Sequence, residues 1–127
     1  MAKITKFKYG ILDASAVKKS AAYTVVTTTD SGKTFEVGDA DVTFTLPAIA
    51  IGNVFTFVFT GNDGRGSITL SPNSADGVAY AGSQTDDKDL ILTKATAKRG
   101  DYVKIASIDQ VVSWQVIDAR GIWAKQA

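Results

Sequence analysis

Residues Asn53–Thr60 alternate without a fault. Phe55, Phe57 and Phe59 fall on one side, and Val54, Thr56, Val58 and Thr60 on the other. Successive side chains of a strand point to opposite faces, so the stretch predicts a strand that buries three phenyl rings on one face. The same period of two recurs along the chain. Tyr23–Thr29 is almost wholly β-branched, the composition that favours strands. Lys33–Val37 alternates, and Asp41–Leu46 alternates with Val42, Phe44 and Leu46 facing inward. Pro47 stops that strand because it has no N–H to donate to a ladder. Ser67–Ser71, Leu90–Thr93, Tyr102–Ser107, Val111–Ile117 and Ile122–Ala124 complete a set of about nine short strands.

Turn signals separate them: Asp30-Ser31-Gly32, Gly38-Asp39-Ala40, Asp109-Gln110 and Arg120-Gly121. The glycine-dense run Gly61–Gly66 reads as a hairpin tip, from which Ser67–Ser71 pairs back onto the central strand. Residues 72–89 carry no period, with Val78 and Tyr80 as anchors, and a loop of that length is functional or mobile. Residues 1–20 have no clean pattern either. A short helix over Ala14–Ala22 with Asp13 as its cap is one reading. An extended arm that orders on contact with a partner is the preferred one. The expected fold is therefore all-β: an antiparallel β-sandwich, jelly-roll-like, formed by residues 21–127 as one domain behind an N-terminal arm of residues 1–20. Its core is expected to hold Phe44, Phe55, Phe57, Phe59, Leu70, Ile105, Trp114 and Val116.

Composition narrows the chemistry. Among the 127 residues there is no Cys and no His. That removes disulfides, the thiolate nucleophile, the commonest general base and the usual zinc sites. Ser-His-Asp and Cys-His catalysis are excluded. No apolar run approaches the ~20 residues of a membrane-spanning helix, and the N-terminus has lysines but no apolar segment behind them, so no signal peptide is expected. The chain is expected to be made and folded in a cytoplasm, with no membrane partner.

The net charge of +1 is unevenly placed. Residues 1–20 hold Lys3, Lys6, Lys8, Lys18 and Lys19 against Asp13 alone, whereas residues 21–91 carry nine acidic side chains against three basic ones. A basic arm on an acidic body points to docking on an acidic surface, with a solvated tail as the plain alternative. Nucleic acid is not an expected partner. The arm has no arginine for bidentate contacts, and the acidic body would repel phosphates.

The short motifs are weak. Arg99-Gly100-Asp101 matches an adhesive tripeptide, but a glycine turn between strands accounts for it. Gly61–Gly66 lacks the Lys-Ser/Thr and the following helix of a phosphate cradle. Asp39, Asp41, Asp86, Asp87 and Asp89 do not match a calcium loop. Asp86 and Asp87, adjacent in one loop, do not face each other across a sugar as glycosidase carboxyls do. Glu36, the only glutamate, sits mid-strand without a partner. No catalytic, cofactor-binding or metal residue is assigned, and an enzyme is not expected. Trp114 is expected in the core. Trp123 is either a lid on the sandwich or an interface anchor, since aromatic residues are enriched at interfaces.

Residues Ala22–Phe35, with Tyr23-Thr24-Val25 leading into Asp30-Ser31-Gly32-Lys33-Thr34-Phe35, resemble a strand-turn-strand of bacteriophage virion proteins. Thr45-Leu46-Pro47 and Gly52–Phe57 continue the likeness, and Trp114–Val116 with Gly121–Trp123 resembles the close of such modules. The likeness covers residues 22–60 and, more loosely, the last quarter of the chain. Head-decoration proteins and tail-fibre segments share it. The short length and the initiator Met favour a capsid decoration, or cement, protein over a tail fibre with its long shaft. The resemblance implies a homotrimer on the outer capsid that bridges capsomers of the major capsid protein. Lys3, Lys6, Lys8, Lys18 and Lys19 would meet acidic capsid patches, with Phe7, Tyr9, Ile11 and Leu12 as apolar anchors. A tail-fibre or head-fibre module for receptor or glycan binding is the second reading, for which Tyr80 is the one aromatic candidate in the 72–89 loop.

Overall fold

The computed structural model describes residues 16–109 and 113–127. Eleven strands form among them: β1 (Ala16–Lys19), β2 (Tyr23–Thr24), β3 (Thr34–Val37), β4 (Asp41–Thr45), β5 (Val54–Phe59), β6 (Ser67–Ser71), β7 (Gly77–Ala79), β8 (Leu90–Leu92), β9 (Tyr102–Asp109), β10 (Ser113–Arg120) and β11 (Trp123–Lys125). One helical turn, α1 (Thr27–Asp30), follows β2, and a 3₁₀ turn spans Lys94–Thr96. The strands build two facing sheets, ordered β1-β3-β5-β9-β10-β7 and β11-β8-β6-β4-β2. The all-β sandwich is as the alternation predicts. The pairing is not uniformly antiparallel, because both sheets are mixed.

The first six strands alternate between the sheets. β1, β3 and β5 run parallel in the larger sheet, and β2, β4 and β6 run parallel in the smaller. The chain thus winds three turns of a flat coil, each turn laying one strand on each sheet. The turns stack in register: Val17 beside Phe35 beside Phe57, and Tyr23 beside Phe44 beside Leu70. The segments around residues 20–22, 38–40 and 60–66 are crossovers between sheets. β5 and β6 therefore do not form the expected hairpin, since β5 lies between β3 and β9 while β6 lies between β4 and β8. The glycines of the 61–66 run serve the stacking of crossovers. A Cβ on Gly61 would lie 2.6 Å from the backbone carbon of Gly38, and one on Gly66 would run into the Ala40 carbonyl.

β8, β9 and β11 add antiparallel strands beyond the coil. β9 and β10 form a long antiparallel pair with register shifts between Ser113 and Gln115 and between Val116 and Asp118. β7 then closes the larger sheet in parallel to β10.

The core is where the period of two places it. Phe44, Phe55, Phe57, Phe59, Leu70, Ile105 and Trp114 are fully buried, and Val116 packs against them half-buried. Parallel stacking brings the Phe35 and Phe57 ring centroids to 5.5 Å, with the ring planes nearly parallel. Phe44 reaches across from the other sheet to within 4.8 Å of Phe57 and 5.3 Å of Phe35. Aromatic pairs at such distances add to the area they bury. The outer face of the smaller sheet carries hydroxyl rows instead, with Thr24, Thr45 and Ser71 in one row and Thr43 beside Thr69 in the next.

The β-branched run Tyr23–Thr29 does not stay a strand. β2 ends at Thr24 and residues 27–30 turn helically. The Asp30 carboxylate accepts the Val26 N–H at 2.9 Å and the Tyr23 hydroxyl at 2.8 Å, which draws the chain back on itself. A buried carboxylate with these donors outweighs the weak strand preference of Thr27–Thr29.

Candidate interaction surfaces

Of the arm residues, Lys3, Lys6, Phe7, Lys8, Tyr9, Ile11 and Leu12 lie outside the described residues. Lys18 and Lys19 belong to β1, so the end of the segment read as an arm is an integral strand of the larger sheet. Lys18 is exposed on the outer face, in register with Glu36 of β3. The Lys19 ammonium lies 3.8 Å over the Tyr23 ring, a cation–π contact that draws it onto the body of the protein.

Tyr23 links this contact to Asp30. The Asp30 side chain is 1% exposed, and besides Tyr23 and Val26 it receives Lys33 Nζ at 3.0 Å. Burial pushes its pKa up, but the Val26 N–H, the Tyr23 hydroxyl and the Lys33 ammonium together hold it below the ordinary carboxylate value. The Tyr23 phenol is raised, first by its hydrogen bond to Asp30 and then by burial. This cluster ties β1, β2 and α1 together.

Trp123 is buried in the core cluster, and its indole N–H donates to the Arg120 carbonyl at 3.0 Å. Of its two readings, burial of the ring is what the lid on the sandwich expects. Its ring is spent inside the chain.

At the end of the sandwich where the 60–66 crossover lies, Arg99-Gly100-Asp101 forms a structural turn. Asp101 is 4% exposed and accepts the Lys98 N–H at 2.9 Å. Arg99 is held against the crossover, donating to the Gly61 carbonyl and to Asn62 Oδ1. Asp39 accepts both the backbone and side-chain N–H of Asn62, which lower its pKa. Asp41 accepts Ser67 Oγ at 3.0 Å and pairs with Lys94 at 2.9 Å. Glu36 accepts the Thr60 hydroxyl at 3.0 Å. No group of three or more acidic side chains poised for a metal ion occurs among the described residues.

The opposite edge of the sandwich is closed by the 72–89 segment and the C-terminal strand. Lys125 donates to the carbonyls of Val78 at 2.8 Å and Lys88 at 2.9 Å, bridging β7 to the entry of β8. Burial lowers its pKa, partly offset by Asp89. Gln126 and Asp89 exchange two hydrogen bonds alongside. Nothing in the sequence singles out Lys125, because a lysine near a C-terminus carries no periodic or motif signal.

Within the same segment, Ala79–Gln84 line a surface groove of about 380 Å³. Tyr80 and Ser83 exchange backbone hydrogen bonds at 2.9 and 3.0 Å around Ala81-Gly82, both with left-handed backbone. The sequence marks residues 72–89 as a long unpatterned loop with Tyr80 as an anchor, and shows neither the Ala81-Gly82 turn nor the groove. No protein-family model matches the chain, and no curated protein matches it.

Proposed function

We propose that this chain is a structural virion protein that binds the outside of a bacteriophage capsid and stabilises the shell by bridging capsomers. Its partners are the major capsid protein and two further copies of itself. It folds in the host cytoplasm and works on the capsid surface. The observation that carries the reading is the position of the resembling segments. Residues 22–60 form the last strand of the first coil turn, the whole second turn and β5, packed around Phe35, Phe44 and Phe57. The likeness to virion modules therefore lies in the scaffold itself.

The basic N-terminal segment enters this scaffold at β1, the edge strand of the larger sheet. A rigid block with a cationic lead segment suits attachment to an acidic lattice. Many copies bound to an expanded shell favour that state by linkage.

The test is a coating assay on purified expanded capsids. A full-length variant carrying Lys3→Glu, Lys6→Glu and Lys8→Glu is expected to keep the fold and lose coating. Coating at full occupancy would overturn the role of the basic segment. Cryo-electron microscopy of the parent particle locates the chain on the head, as proposed, or on a tail fibre or head fibre, the alternative site for a receptor-binding module.

A further inference from the structure

We infer that the outer face of the larger sheet is the surface on which this chain meets a second copy of itself. The inference rests on the self-association proposed above and adds which face makes the contact.

Three observations carry it. The first is the contrast between the two outer faces. The smaller sheet turns hydroxyls outward, with Thr24, Thr43 and Thr45 exposed. The larger sheet instead carries an apolar strip along β5 and β9, where Val58 lies beside Tyr102 and Val54 beside Ala106. Ile108 continues the strip on β9 and is 61% exposed, and Ile117 on β10 is 50% exposed. Ile51 stands at its margin, next to Gly52, whose N–H donates to the Ser107 carbonyl. Three of the five large apolar side chains exposed among the described residues thus gather on or beside this face. Exposed apolar residues scattered singly need no explanation, but a patch of them marks a contact surface.

The second is the arrangement of charge. One row across the sheet reads Lys18, Glu36, Val58, Tyr102 and Arg120, and the next reads Ala16, Thr34, Thr56, Lys104 and Asp118. Lys18 and Glu36 flank the apolar strip on one side, and Asp118 and Arg120 flank it on the other. An apolar centre with a charged rim is the anatomy of a protein interface. Each rim holds one cation and one anion, so the face complements itself when a copy is rotated onto it. A surface of one sign, such as an acidic lattice or a phosphate backbone, would be repelled by half of each rim. Lys104 interrupts the strip, but its stem is apolar and its ammonium can reach an acid of the facing copy.

The third is that these charges are unspent. Lys33, Lys94 and Lys98 pair with Asp30, Asp41 and Asp63, whereas none of the five charges on this face forms an ion pair among the described residues. Glu36 and Asp118 accept the hydroxyls of Thr60 and Tyr102.

The experiment is analytical ultracentrifugation of the full chain over a concentration series, with circular dichroism to check each fold. The parent is expected to self-associate. Ile108→Lys and Ile117→Lys, both at exposed positions, are each expected to weaken association about tenfold or more. Thr43→Lys, on the smaller sheet, is expected to associate like the parent. The parent alone gives a second readout: the methyl NMR signals of Ile108 and Ile117 should shift with concentration while that of Ile91, in the Thr69 row of the smaller sheet, stays still. An associating parent whose two isoleucine variants associate equally well overturns this face and leaves the homotrimer to another. So does a concentration shift at Ile91 with none at Ile108 and Ile117. A parent that stays monomeric throughout overturns the face and the homotrimer together.

Discussion

The Tyr23 hydroxyl donates to the Asp30 carboxylate at 2.8 Å, across a turn that begins as strand and ends as helix. That bond joins the first turn of the coil to the loop that leads into the second. The carboxylate is buried, and its pKa is held down by the Val26 amide, Tyr23 and Lys33 against the opposing effect of burial. A carboxylate lowered on folding contributes stability above its unfolded pKa of about 3.9 and loses it as pH falls through the folded value. Urea midpoints measured downward from pH 6 are therefore expected to drop through the acid range. Asp30→Asn is expected to flatten part of that slope and to cost about 1–3 kcal/mol at neutral pH. An unchanged slope in the variant would rule out Asp30 as a source.

The crossovers stack because glycines let them. Gly66→Ala would drive a methyl group into the Ala40 carbonyl. Backbone on backbone has no cheap relief, and a loss of about 1–3 kcal/mol or more is expected in chemical denaturation. Gly52→Ala is the contrast. Gly52 has φ 97° but open space around a Cβ, so only the left-handed strain of about 1–2 kcal/mol should be lost. If Gly66→Ala proves as mild as an exposed surface change, the crossovers are looser than described.

Phe57 touches Phe35 on its own sheet and Phe44 on the other. Phe57→Ala is expected to cost about 3–5 kcal/mol in equilibrium unfolding. Phe57→Leu, which keeps most of the volume, is expected to cost clearly less. Equal losses for the two variants would show that the ring contacts matter more than the filled space.

Ala81 occupies the first central position of a two-residue turn with φ 51°. Turns with both central residues left-handed favour Asn-Gly. Ala81→Asn is expected to raise stability by about 0.5–1 kcal/mol, read as a higher melting temperature. A lower melting temperature would contradict the turn geometry.

Lys125 holds the 72–89 segment by two carbonyls. Lys125→Met keeps the apolar stem and removes the donors. Hydrogen exchange is expected to quicken at residues 77–89 while β5 and β9 keep their protection. A uniform change across the sheets would instead mark Lys125 as part of global stability.

The alternation in Val54–Thr60, Asp41–Leu46 and Ser67–Ser71 determined an all-β core and its inward residues, because burial selects one face of a strand whatever its neighbour is. The absence of Cys and His determined which chemistries are closed to the chain. The tertiary structure decided the pairing. A period of two reads the same in parallel and antiparallel ladders, and the crossovers at 20–22, 38–40 and 60–66 differ in length, which hides the repeat that stacks Val17, Phe35 and Phe57. It also decided the fate of single side chains. Trp123 joined the buried core, Lys19 settled on Tyr23, and Thr27–Thr29 left the sheet for a helical turn, since each answers to a partner distant in sequence or to one buried carboxylate that local propensity does not record. The central phenylalanine strand is thus the third turn of a coil, where its own alternation showed only a buried strand.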